Sequence, residues 1–190
     1  MNERILSEFG DYLLSHRDEI TPEWVLAVQR EIDFSSPGYG GDSALADHLP
    51  ELFQHLAARL RAPQSQHERR EVSRTAQAHG KYRWRQGYKL DQVIREASII
   101  RQILIRTWVK AFAGETTAFV DETRSAAEQL IHEAVDDIVA DSAEQYMEEQ
   151  QKAVSHLNER LAEALADLRQ QKAATQAKKT KGDISGDVES

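Results

Sequence analysis

Residues 79–104 read HGKYRWRQGYKLDQVIREASIIRQIL, and two kinds of helix meet inside them. Up to Gln86 the residues are polar, basic and aromatic. After Gly87-Tyr88-Lys89, apolar residues recur three and four apart. The spacing predicts a polar-faced helix over about Gln66–Gln86, a tight corner at Gly87–Lys89, and a fifth helix running to about Ala113. That later helix is the most apolar of the chain, with Val93, Ile94, Ile100, Ile103, Leu104, Trp108, Val109 and Phe112, and suits the centre of a bundle. Folding the two helices antiparallel sets residues whose numbers sum to roughly 176–180 opposite one another. Arg83 then faces Glu96, and His79 comes near Ser98 or Arg101. His79 and Arg83 are four apart and share a face, whereas Arg101 lies about 140° around its helix from Glu96.

Helical periodicity continues in both directions. A first helix over about Asn2–His16 carries Ile5, Phe9, Tyr12 and Leu13 on one stripe. A second is expected to begin at Thr21-Pro22-Glu23, with Thr21 as cap and Pro22 in the first turn, burying Trp24, Val28 and Ile32. The segment FSSPGYGGD, Phe34–Asp42, reads as a loop. In LADHLPELFQHLAARL, Asp47 can cap, Pro50 fits only the first turn, and Leu49, Phe53, Leu56 and Leu60 form a stripe, with a break near Ala62-Pro63. Beyond Gly114 the sequence holds no stop signal until about Ala173. The early part of this segment has a broad stripe: Phe119, Ala127, Leu130, Ala134, Ile138 and Val139. The later part narrows to Val154, Leu157, Leu161, Ala164 and Leu168, spaced 3-4-3-4, the a/d seam of a two-stranded coiled coil.

The expected fold is therefore all-α: a bundle of about six helices whose long last helix extends as a coiled-coil stalk. The expected organisation is a helical input domain over 1–142, a signalling helix over 143–172 and a disordered tail over 173–190. The composition agrees. Among 190 residues, 40% are hydrophobic and 29% charged, enough for one folded domain, and 9 Gly with 4 Pro are few for a many-stranded sandwich. The absence of cysteine excludes disulfides, thiol catalysis and Cys-ligated zinc, and suits a reducing cytoplasm. Charges throughout the first twenty residues leave no signal-peptide core, and no window suits a membrane span.

The net charge of −8 argues against a general nucleic-acid binder. It averages a basic middle, net +8 over Arg61–Lys110, and an acidic stretch, net −11 over Glu115–Asp167. These can pack on one another or face partners. Arg83, Arg85, Lys89 and Arg95 with Trp84 and Tyr88 could hold phosphate, but the fifth helix is too apolar for a recognition helix, so DNA binding is disfavoured. The sequence has no phosphate loop, HExxH, GxSxG or kinase catalytic loop, and its seven histidines do not cluster for a metal. No catalytic residue, metal ligand or cofactor is expected. A haem on His79 lacks a second determinant. The candidate sensing residues are His79, Arg83, Glu96 and Arg101, either a polar pocket with His79 titrating or a charge pair that fixes how two helices stack.

The same residues carry a resemblance. His79-x₃-Arg83-x₃-Gly87-Tyr88-x-Leu90, continuing to Glu96 and Ile100-Arg101, resembles the RsbRD-type N-terminal domain of stressosome co-antagonists and of many bacterial sensor histidine kinases. Leu45-x-Asp47-His48-Leu49-Pro50-x-Leu52 and Trp24 resemble that family's earlier helices, and the likeness covers about Ile5–Tyr146. Ala97 departs from the aromatic residue expected after Glu96, which would loosen one packing contact. Ser155-His156 is faintly similar to a kinase phosphoacceptor box but lacks its acidic residue and later Pro, so His156 reads as a solvated stalk residue. The resemblance implies a cytoplasmic, non-catalytic helical input domain of signal transduction, of two-component or stressosome type, passing a signal to a downstream kinase or regulatory protein. With the seam of Val154, Leu157, Leu161 and Leu168 it would act as a homodimer. The alternative is a helical sensor holding a small molecule or cofactor inside the bundle.

Overall fold

The computed structural model describes residues 2–32, 46, 49–62 and 65–186, with the side chains of 68, 69 and 176–186 excepted. The described residues are helical, with no strand among them: α1 (Glu3–Ser15), α2 (Arg17–Glu31), α3 (Leu49–Arg61), α4 (Gln66–Arg85), α5 (Leu90–Ile103), a π-helical turn (Leu104–Trp108), α6 (Val109–Glu115) and α7 (Asp121–Gly186). Because α5, the π turn and α6 follow one another without a break, the architecture is six helical runs ending in one very long helix. The all-α expectation is met. The chain divides into two compact units, Met1–Glu149 and Gln150–Ser190.

The core of the first unit is built from the expected stripes. Ile5, Phe9 and Leu13 of α1, Trp24 and Val28 of α2, and Leu49, Phe53, Leu56 and Leu60 of α3 are all buried, as are Val93, Ile100, Leu104, Val109 and Phe112 of the central run. Phe9 and Phe112 lie 5.2 Å apart, and Phe112 meets Phe119 edge-on at 4.9 Å, so aromatic rings close one side of the core. Gly10 lets α1 approach α3 closely, since a Cβ there would meet the Ala57 backbone at 3.1 Å.

Four local expectations are corrected. Helix α2 begins at Arg17 rather than Thr21, with Pro22 inside it. The earlier start puts Ile20 on the face of Trp24 and Val28, and full burial of Ile20 offsets the backbone hydrogen bond that Pro22 cannot donate. Ile94 is 43% exposed, because it falls beyond the arc that Val93, Glu96, Ile100 and Leu104 turn inward. The chain from Gly114 is not one helix: α6 ends at Glu115, Thr116 is extended, and Phe119 N–H bonds to the Thr116 carbonyl at 3.0 Å before α7 starts. That turn seats Phe119 against Phe9 and Phe112. Helix α7 then continues past Ala173 to Gly186. The Phe34–Asp42 loop and the Asp47 cap lie outside the described residues.

Candidate functional site

The corner between α4 and α5 forms where it was expected. Gly87 adopts φ 77°, and Tyr88 N–H returns to the Arg83 carbonyl at 3.1 Å, closing α4 in a Schellman-type turn. Lys89 then caps α5, its N–H donating to Gln92 Oε1 at 2.8 Å. This hairpin brings Arg83 against Glu96: Arg83 Nε donates to Glu96 Oε2 at 3.0 Å, with the side chains 0% and 2% exposed. His79, one turn before Arg83, places Nε2 3.6 Å from the same oxygen, so its neighbour is Glu96 rather than Ser98 or Arg101. Arg101 is elsewhere. It pairs with Asp136 of α7 at 2.6 Å, as its angular offset from Glu96 requires.

Around this triad the contacts are dense. Arg83 Nη1 donates to Gln86 Oε1 at 2.8 Å, and its guanidinium stacks over the Tyr88 ring at 4.6 Å. Trp24 Nε1 donates to the Glu96 carbonyl at 3.1 Å, tying α2 to the same point. Burial holds His79 far below the ordinary histidine range, at about 3, with the Arg83 cation adding to the effect. The imidazole is therefore neutral near pH 7. Burial raises the Glu96 carboxyl, to about 7, against the pull of Arg83's charge and hydrogen bond.

Glu96 Oε1 is buried without a hydrogen-bond partner among the described residues. Glu96 also lines a cavity of about 40 Å³ whose wall includes His79, Ala97 and Trp24. Ala97, the small residue noted in the sequence, thus stands where space has been left. Among the described residues, no group of three or more His, Cys, Asp or Glu could hold a metal ion.

The hairpin is fastened to α7 by contacts that sequence reasoning missed. Ser142 Oγ donates to the Ala76 carbonyl at 2.9 Å, and Tyr146 OH donates to the Tyr88 carbonyl at 2.7 Å, both buried. Between them Gly80 lies so close to α7 that a Cβ would stand 2.1 Å from the Ser142 carbonyl oxygen. Lys81 reaches Glu149 at 3.8 Å, and Trp84 meets Tyr146 edge-on at 5.2 Å. Nearby, buried Arg59 of α3 donates to Glu133 of α7 at 3.3 Å. One signal was legible: Gly80 sits inside a helix, where glycine costs about 1 kcal/mol unless something needs its missing side chain.

In the second unit, Val154, Leu157, Leu161, Leu165 and Leu168 are between 45% and 61% exposed. Four of these are residues expected in the coiled-coil seam, and Leu165 stands next to the fifth, Ala164.

The sequence matches the family described as the RsbT co-antagonist protein rsbRD N-terminal domain over residues 18–161, most of the chain, and the protein belongs to that family. It is accordingly a stressosome-type regulatory signalling domain. No curated protein and no solved structure matches it. No described helix is long and apolar enough to cross a membrane.

Proposed function

We propose that the chain is a non-catalytic cytoplasmic input domain that dimerises through α7 and relays changes in its bundle to a kinase or regulatory output partner. The observation that carries this reading is the row of exposed apolar residues on α7: Val154, Leu157, Leu161, Leu165 and Leu168. Val154, Leu157, Leu161 and Leu168 recur at heptad spacing with Leu165 alongside, and an exposed apolar row of this kind buries itself most simply against a second copy. With Val154 and Leu161 at a, Asp167 falls at g and Lys172 at the following e, opposite charges that meet across an in-register parallel pair. Family membership supports a signalling role.

The relay uses the fastenings between hairpin and α7. Ser142–Ala76, Tyr146–Tyr88, Lys81–Glu149 and Arg101–Asp136 make α4 and α5 move with α7. A repacking around His79, Arg83 and Glu96 would then be passed along α7 as a rotation or register change at the seam, a two-state element of the kind signalling needs. The test is solution mass by light scattering over a concentration series. The full chain is expected to be a dimer, and Leu157→Asp with Leu161→Asp a folded monomer with unchanged helical content. A monomeric wild type, or a variant that stays dimeric, overturns the proposal.

A further inference from the structure

Beside the Arg83–Glu96 pair, the cavity of about 40 Å³ is walled by every helix that meets the cluster. Trp24 comes from α2, Leu49 from α3, Ala97 and Ile100 from α5, and Val135 and Ile138 from α7. Polar atoms enter it at few points. His55 and Thr75 satisfy one another at 2.9 Å, and Glu96 contributes a carboxylate whose Oε1 accepts no hydrogen bond from any described residue. A buried acceptor left unfilled is costly, of order 1–3 kcal/mol in general. The arrangement thus offers apolar walls, with Glu96 Oε1 as an unfilled acceptor and the His79 imidazole in the same lining.

From the cavity and the unfilled Glu96 acceptor among its lining residues we infer that this is a binding site for a small neutral molecule with an apolar body and one hydroxyl, which donates to Glu96 Oε1. The size follows from the volume. At roughly 10–15 Å³ per water-sized occupant, the space holds about three or four non-hydrogen atoms, the scale of a short-chain alcohol. The charge follows from the walls: an ion would lose its hydration against Ile100, Val135 and Ile138 with no counter-charge to replace it, since Arg83 already lies against Glu96. Water would meet mostly apolar surface there, so an occupant with an apolar body fills the space better. The occupant would touch Val135 and Ile138 of α7 directly, so its role as an input signal rests on the relay proposed above, while its binding does not.

The probe is 1-propanol, added to isotopically labelled full-length protein while the indole N–H signals are followed by NMR. Three tryptophans make this decisive. Trp24 lines the cavity and donates to the Glu96 carbonyl, whereas Trp108 donates to Glu23 outside the cavity. A four-atom ligand binds no tighter than roughly tens of micromolar, so saturation is expected in the millimolar range. The Trp24 signal should shift saturably with Trp108 unmoved, and Ala97→Leu, which fills the space, should weaken binding at least tenfold. Ile138→Phe fills it from the opposite wall if Ala97→Leu fails to fold. A linear, unsaturable drift of all three indoles overturns the proposal, as does saturable binding that survives both filled variants. Propane-1-thiol, similar in shape but a poor donor, should bind several-fold more weakly; equal binding overturns the role given to Glu96. Neither outcome bears on the dimer, whose test is the mass of the seam variant.

Discussion

The close approach of Gly80 to the α7 backbone at Ser142 makes Gly80→Ala an informative substitution. In an ordinary helix interior this change stabilises by about 1 kcal/mol, because alanine loses less backbone freedom on folding. Here the new Cβ would lie 2.1 Å from the Ser142 carbonyl oxygen and 2.8 and 2.9 Å from its carbonyl carbon and Cα. Those are backbone atoms and cannot swing aside, so restoring contact near 3.4 Å requires α4 and α7 to part by on the order of 1 Å. The Ser142–Ala76 and Tyr146–Tyr88 hydrogen bonds, at 2.9 and 2.7 Å, flank that point and would stretch to the limit of bonding or past it. Losing both costs about 1 kcal/mol each, and forcing the packing costs about 1–3 kcal/mol more. Set against the propensity gain, the net loss is about 2–4 kcal/mol. Urea unfolding followed by circular dichroism reads this as a lower midpoint at unchanged slope. Gly114→Ala in α6 is the control, since its Cβ would meet nothing within 4 Å, and it should be neutral or slightly stabilising. If Gly80→Ala unfolds at or above the wild-type midpoint, the account of how the hairpin is held to α7 is wrong.

Two further outcomes follow from the buried cluster. Glu96→Leu strands the Arg83 guanidinium, which cannot neutralise itself, and should cost about 3–5 kcal/mol; Arg83→Met should cost less, because the carboxyl left behind can take a proton, and the double variant should recover most of the loss. A double variant as unstable as the sum of the singles, measured by urea unfolding, would show that the pair is not what the site holds in balance. His79 gives a pH signature: its folded pKa of about 3 lies below the unfolded 6.5, so the unfolded chain binds the extra proton and stability falls as pH drops from 6.5 towards 3. Relative to His79→Gln, the wild type should lose on the order of 1 kcal/mol per pH unit across that window. Glu96 contributes with the opposite sign between 4.5 and 7, but it is present in both proteins and largely cancels in the comparison. Parallel stability–pH curves would remove His79 from the set of buried neutral groups.

Helix content, the order of the helical runs, the Gly87 corner and the facing of Arg83 on Glu96 were all determined by the sequence alone. These are local consequences: periodicity of three and four shows which face is apolar, and a single glycine between two such patterns sets the antiparallel register. The narrow row from Val154 to Leu168 was legible for the same reason. What failed locally was outweighed by burial elsewhere. Pro22 marks a helix start by its own chemistry, yet Ile20 drew the helix back to Arg17 because the core needed that side chain. Only the tertiary structure decided that Gly80 touches Ser142, that Tyr146 reaches back to Tyr88 across fifty-eight residues, that Arg101 belongs with Asp136, and that Ala97 borders a cavity. Each of these depends on the distance between two helix surfaces. That distance is set by every side chain in the contact together, and no periodicity within one helix encodes it.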